Sequence, residues 1–212
     1  MSFDRLAPFY LLMEKVSAGG KLQRCRLEYL ARIPYPARVL LAGEGHGRFL
    51  PALRKQFPDA EITVIDFSAG MLAQARASLE RQGVAATDIE FLHQDMLTWE
   101  PPAARYDLIV THFFLDCFTG SQVEHVVAKL GTAATAEAQW LLADFRTEEP
   151  GLKGLRARWI VRLLYGFFRI ATGLRAKSLV SPDLALRKSG FTLHHQRISE
   201  WGLLKSQWWT RS

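Results

Sequence analysis

A chain of 212 residues with 49% apolar and 23% charged side chains fits one globular domain with a sizeable core. Its two cysteines, Cys25 and Cys117, exclude a disulfide framework and point to a reducing compartment. Asp4 lies among the first residues and no long apolar run precedes a small-residue cleavage site, so a secretory signal is not expected. No uninterrupted apolar stretch reaches the length of about 18 residues needed for a membrane span, and the expected location is the cytoplasm. The net charge of +6 is unevenly spread: residues 1–145 carry 14 Lys/Arg against 17 Asp/Glu, residues 146–212 carry 13 against 4. The basic character belongs to the C-terminal third.

In chain order, segment 3–33 reads as helical, with Phe9, Leu12, Met13 and Val16 at helical spacing before Gly19-Gly20, then Leu22, Leu27 and Leu30. Pro34 and Pro36 end it. Strands and helices then alternate. Arg38–Ala42 is a short apolar strand, and Arg48–Phe57 is a helix that tolerates Pro51 in its first turn. Glu61–Asp66 is a β-branched strand, followed by a helix from the cap-like Ser68 to Arg81. Ile89–His93 and Tyr106–Thr111 are strands, Gln122–Leu130 a helix and Gln139–Phe145 a fifth strand. A long helix at about 152–172 and a short one at 182–189 precede two strands, Phe191–Ser199 and Leu203–Thr210, joined near Glu200–Gly202. The alternation predicts an α/β fold of the Rossmann-like, doubly wound kind, mostly parallel and closed by an antiparallel hairpin. The whole of 1–212 is expected to be a single domain, with a helical cap at 1–36 and a helical lid at 150–189.

The first strand runs directly into Gly43-Glu44-Gly45-His46-Gly47. Glycines let the backbone turn tightly and approach a ligand, and the following helix presents free N–H groups to the same place. The third glycine comes one residue too early for a dinucleotide fingerprint, which counts against NAD or FAD. Asp66 ends the second strand, where a carboxylate can accept hydrogen bonds from both hydroxyls of a ribose. Gln94-Asp95-Met96 follows the third strand, where a carboxylate can meet an exocyclic amino group and Met96 can pack on a ring. All three lie at the carboxyl ends of adjacent strands.

These residues resemble the class I S-adenosylmethionine-dependent methyltransferases over nearly the whole chain, within them the small-molecule, ubiquinone/menaquinone-type group. Val39–Phe49 is similar to the glycine-rich first motif, Ile62–Leu72 to the ribose motif and Glu90–Met96 to the adenine motif. Tyr106–Phe118 is similar to the fourth-strand motif and Leu141–Phe145 to the fifth strand. The resemblance implies S-adenosylmethionine as cofactor, with Gly43, Glu44, Gly45, Gly47, Asp66, Phe67, Met71, Asp95, Met96 and Thr111 around it. Phe67 would lie beside the adenine, and Thr111 would offer its carbonyl to the cofactor's amino group. One departure stands out: the acidic residue usual two positions before the first glycine is Leu41 here. Either the loop carboxylate Glu44 takes over part of that polar network, or the methionine end is held differently.

Methyl transfer from a sulfonium is an in-line substitution, and a base is needed only for an acceptor protonated at neutral pH. His112 is the candidate base on the segment after the fourth strand, with Asp116 to orient it or to bind a cationic acceptor. The bland alternatives are a backbone-bonded His112 and an Asp116 that caps the next helix. Cys117 reads as a packed thiol. His194 and His195 are consecutive on a strand, so their rings are expected on opposite faces. No metal-ligand spacing occurs and no metal is expected. Within 156–171, Ile160, Leu164, Phe167 and Ala171 oppose Arg158, Arg162 and Arg169. That pattern fits a lid helix, or peripheral contact with a lipid or membrane surface. The expected activity is methylation of a small, partly apolar acceptor, with no nucleic-acid partner. The alternatives are a catalytically inactive nucleoside- or S-adenosylmethionine-binding module and an RNA methyltransferase.

Overall fold

The computed structural model describes residues 20–146 and 179–211. The expected helices before residue 20 and at 152–172, and with them the arginine stripe of 156–171, lie outside these residues. The described elements are α1 (Lys21–Leu27), β1 (Arg38–Ala42), α2 (Leu50–Gln56), β2 (Glu61–Asp66), α3 (Ala69–Arg81) and β3 (Ile89–His93). They continue as β4 (Tyr106–His112), a 3-10 turn at Leu115–Cys117, α4 (Gly120–Ala133), β5 (Ala134–Phe145), α5 (Asp183–Lys188), β6 (Phe191–Ser199), a 3-10 turn at Glu200–Gly202 and β7 (Leu204–Arg211).

The described strands form one sheet in the order β3-β2-β1-β4-β5-β7-β6. β1 to β5 pair in parallel, whereas β7 runs antiparallel to both β5 and β6. A parallel strand covered on both faces has no solvent side, so it reads as a continuous apolar run. Val39, Leu40, Leu41 and Ala42 of β1 are accordingly all buried. Alternate side chains divide between two cores. Leu40, Ile109, Trp140 and Trp209 meet α4 and α5 on one face, and Val39, Leu41, Val64 and Leu108 meet α2 and α3 on the other. The largest buried side chains keep their polar atoms satisfied, as burial requires: Trp140 Nε1 donates to Thr111 Oγ1 at 2.8 Å. On α1, Leu22 and Cys25 pack against Ala143 and Leu204, and Tyr29, just beyond the helix, joins the α2/α3 core. α1 thereby packs against the end of β5 and the start of β7.

Local signals explain most element boundaries. The Ser68 hydroxyl accepts the Met71 N–H at 3.2 Å and starts α3. Thr119 and Gln122 form a capping box on α4, so that helix is capped without Asp116. β5 begins at Ala134 rather than Gln139, because Ala134 pairs with Tyr106 ahead of an irregularity in the ladder. The histidine pair departs from strict alternation. A register shift between Leu193 and His195 places both rings against Trp208, His194 at 4.6 Å and His195 at 5.5 Å. The expectation of opposite faces is corrected by this bulge, which breaks the two-residue period. No group of three or more His, Cys, Asp or Glu able to hold a metal occurs among the described residues.

Candidate cofactor and methyl-transfer site

The carboxyl ends of β1, β2 and β4 meet around the loop after β1. Gly43, Gly45 and Gly47 all have left-handed backbones, with φ of 67°, 61° and 69°. Their surroundings differ. A Cβ on Gly43 would strike the Phe114 ring, and one on Gly47 would lie 2.6 Å from Ala75 Cα of α3. Gly45 has no atom within 4 Å of that position, so its face is the open one. The outer glycines serve close packing and the middle one leaves room for a ligand to approach.

Asp66 is held between this loop and the start of α3. Its Oδ2 accepts the Gly45 N–H at 3.3 Å and its Oδ1 the Ser68 N–H at 2.9 Å. The neighbouring Phe67 ring is 59% exposed, an unusual state for a phenylalanine and one that suits a plate for a planar ligand. Asp95 is half-buried in a turn, where its Oδ1 accepts the Leu97 N–H at 2.9 Å. Met96 and Met71 are buried, Met96 within the core on the α4 side. Thr111 is buried, and its hydroxyl is the acceptor for Trp140.

Glu44 turns back onto α2. Its Oε1 accepts the N–H groups of Phe49 at 2.7 Å and Leu50 at 2.9 Å, capping the helix. Burial pushes this carboxyl up to about 7, against the pull of the two N–H groups and the Arg26 guanidinium, while Asp66 adds to the rise. Leu41, at the usual acidic position, is packed in the α2/α3 core.

His112, the last residue of β4, is 6% exposed, with its ring edge-on to Phe49 at 4.6 Å. Burial holds its imidazole well below the usual range and Arg26 lowers it further, so the ring is neutral at pH 7. Its Nδ1 is buried without a hydrogen-bond partner. Asp116 lies in the 3-10 turn beyond β4, and burial pushes its carboxyl up to about 6. Asp144, near the end of β5, is driven well above the carboxylate range by burial and by Asp116, with Lys205 opposing. Burial and these two carboxyls raise the Cys117 thiol as well, which leaves it protonated and a poor nucleophile.

Two groups here belong to no sequence motif. Asp144 falls within the fifth strand. Arg26 is a buried guanidinium whose centre stands 4.9 Å from the Phe113 ring. Its signal was present: Leu22, Cys25, Arg26 and Tyr29 share one helical face, so a cation interrupts an apolar stripe.

The site fits S-adenosylmethionine on its own features. It has an open glycine face, a carboxylate fixed at the end of β2, an exposed ring beside it and an unpaired buried nitrogen near the loop. Residues 39–135 match the methyltransferase domain family. Demethylmenaquinone methyltransferase of Thermus thermophilus is 28% identical over 155 residues, which are 72% of this chain and 68% of that protein. The solved structure of the mitomycin 7-O-methyltransferase MmcR matches with a TM-score of 0.72 at 20% identity, over 100% of this chain and 61% of that one. Magnesium protoporphyrin IX methyltransferase from Synechocystis, solved with bound SAH, matches with a TM-score of 0.65 at 18% identity over 91% of this chain and 84% of that one. The domain match and these likenesses make the chain similar to the class I, S-adenosylmethionine-dependent methyltransferases. The cofactor they indicate is S-adenosylmethionine. The binding-only and RNA-modifying alternatives gain no support from these likenesses.

Proposed function

We propose that this enzyme methylates a small, partly apolar acceptor held at the carboxyl ends of β4 and β5. The observation that carries this reading is the aromatic cluster on and beside the segment that bears Asp116. The Phe113 and Phe145 rings are 5.2 Å apart and the Phe114 and Phe118 rings 5.0 Å apart, and Asp116, whose carboxyl burial raises to about 6, lies between Phe114 and Phe118 in the chain. Apolar rings bind the acceptor body and exclude water, which strengthens any charge interaction inside. Beside them, a cavity lined by Asp144, Phe145, Ser181, Pro182 and Lys205 extends the space beyond the end of β5.

In this proposal Asp66 holds the ribose, Phe67 and Asp95 flank the adenine, and Gly43, Gly45, Gly47 and Glu44 form the wall at the methionine end. Met71, Met96 and Thr111 support that wall from the core side. Bound S-adenosylmethionine supplies an electrophilic methyl group on a sulfonium. The protein positions the acceptor in line with it, and Asp116 takes the proton that an acceptor hydroxyl releases. His112, buried and neutral with a low pKa, is the weaker of the two candidate bases. Acceptors named for the relatives, demethylmenaquinone and mitomycin, are consistent with a ring-bearing substrate. With Cys25 and Cys117 both free, the proposal places the enzyme in a reducing compartment, the cytoplasm. No helix among the described residues is long and apolar enough to cross a membrane.

The test is a transfer screen with methyl-labelled S-adenosylmethionine over phenols, quinones, amines, lipids and RNA, read by mass spectrometry. Label in a phenolic or quinone-like product supports the proposal. Label confined to RNA would overturn it, as would a cofactor-binding protein that labels nothing.

A further inference from the structure

We propose that Asp144 and Lys205 form the polar end of the acceptor site and select an acceptor that carries a carbonyl oxygen, each side chain donating one hydrogen bond to it. The inference deepens the reading of a small, partly apolar acceptor given above, and rests on it.

The sheet sets the pair. Asp144 and Lys205 are direct partners in the antiparallel ladder of β5 and β7, so their side chains leave the same face beside one another. Both are buried, at 2% and 5% exposed. Opposite charges so placed usually pair, yet Lys205 turns to the segment that leads into α5. Its Nζ donates to Asp183 Oδ1 at 2.9 Å and to Ser181 Oγ at 3.2 Å. Asp183 also accepts the Ser181 hydroxyl on Oδ1 at 2.8 Å and Gln207 Nε2 on Oδ2 at 3.0 Å. Its charge is thereby spent on this network, and Lys205 is matched by it.

Asp144 gives Oδ1 to the N–H of Phe145 at 2.8 Å, and its second oxygen is outside that bond. A carboxyl buried this deeply beside a cation already matched keeps its proton, and Asp116 reinforces the effect. A protonated carboxyl is a donor, and an ammonium has three N–H groups, of which Lys205 uses two in the contacts above. Both side chains line the cavity beyond the end of β5, whose apolar walls are Phe145, Leu179, Val180 and Pro182. Its polar end therefore offers two donors with little net charge between them, which matches a neutral carbonyl oxygen. Arg146 borders the same cavity, so a carboxylate is the competing ligand to be tested.

The experiment is a set of ligand-observed NMR titrations of the full chain loaded with S-adenosylhomocysteine. 4-Hydroxyacetophenone carries the carbonyl, 4-ethylphenol lacks it, and 4-hydroxybenzoate replaces it with a carboxylate. Wild type is expected to bind the ketone about 3- to 10-fold more tightly than 4-ethylphenol, the scale of a net hydrogen bond. Asp144→Leu should erase that preference and leave 4-ethylphenol unchanged, while Asp144→Asn, which keeps an N–H donor, retains most of it. If the leucine variant fails to fold, the infrared carbonyl stretch of the ketone bound to wild type serves instead, and it is expected to move to lower wavenumber. Equal affinity for ketone and 4-ethylphenol, tighter binding of the benzoate, a preference that survives Asp144→Leu or an unshifted stretch would overturn the selection of a carbonyl. A wild-type protein that binds none of the three would overturn the reading of a small, partly apolar acceptor itself, so the two failures are distinct.

Discussion

Gly47→Ala and Gly45→Ala are matched perturbations with opposite expected consequences. Both positions have φ above 60°, so each alanine incurs the left-handed backbone cost of about 1 kcal/mol. Only at Gly47 does the new methyl group meet backbone, 2.6 Å from Ala75 Cα and 3.1 Å from its carbonyl oxygen. Backbone cannot rotate away, and overpacking adds about 1–3 kcal/mol. The Gly47 variant is therefore destabilised by about 2–4 kcal/mol, a fall in Tm of roughly 4–16 °C for a chain of this size. The Gly45 variant should lose only about 2–4 °C. Ligand binding reverses the order of interest. At Gly45 the methyl group occupies the open face, so S-adenosylhomocysteine affinity drops while the fold persists. Circular dichroism melts without ligand, followed by calorimetry, read both effects. Equal melting losses, or a Gly45 variant that binds as tightly as wild type, would refute the assignment of the two glycines.

Three further outcomes follow from the same geometry. Phe67→Ala should leave Tm unchanged, because the ring is 59% exposed, and weaken nucleoside binding by about 1–3 kcal/mol, the worth of one stacked aromatic; methylthioadenosine titration measures it. Glu44 keeps its proton up to about 7 when folded, against 4.5 in an unstructured chain. Its contribution is thus fully present below 4.5 and lost as the pH rises through 7, about 3 kcal/mol in all. Urea unfolding should show Glu44→Gln gaining stability relative to wild type between pH 4.5 and 8, and a constant difference would contradict the raised pKa. If Asp116 takes the acceptor proton, kcat/KM rises through pH 6 to a plateau, and Asp116→Asn abolishes that rise.

The strand–helix alternation, the glycine loop and Asp66 were legible because each rests on local chemistry: apolar runs, φ-permissive glycines and a polar residue where a strand ends. The antiparallel hairpin was visible from the short connection near Glu200. What escaped depends on tertiary contacts. The first residues of β5, Ala134–Ala138, are small and without a clear period, so pairing with β4 rather than pattern makes them a strand. A single bulge turned the paired rings of His194 and His195 to one side, and no residue type announces it. Glu44 looked like a ligand group from its place in the loop, yet its first partners are the N–H groups of α2. Asp116 has its high pKa from burial and the fold around it, not from its neighbours in sequence. Arg26 was readable in principle, as a cation on an apolar helical face.

The most direct test of the cofactor site is calorimetric titration of the wild-type chain and of Asp66→Ala with S-adenosylhomocysteine. The account predicts saturable one-to-one binding to wild type and a loss of about 2–3 kcal/mol in the variant, the scale of hydrogen bonds to a charged group. Wild-type protein that takes up no ligand, or an alanine variant of unchanged affinity, would contradict it.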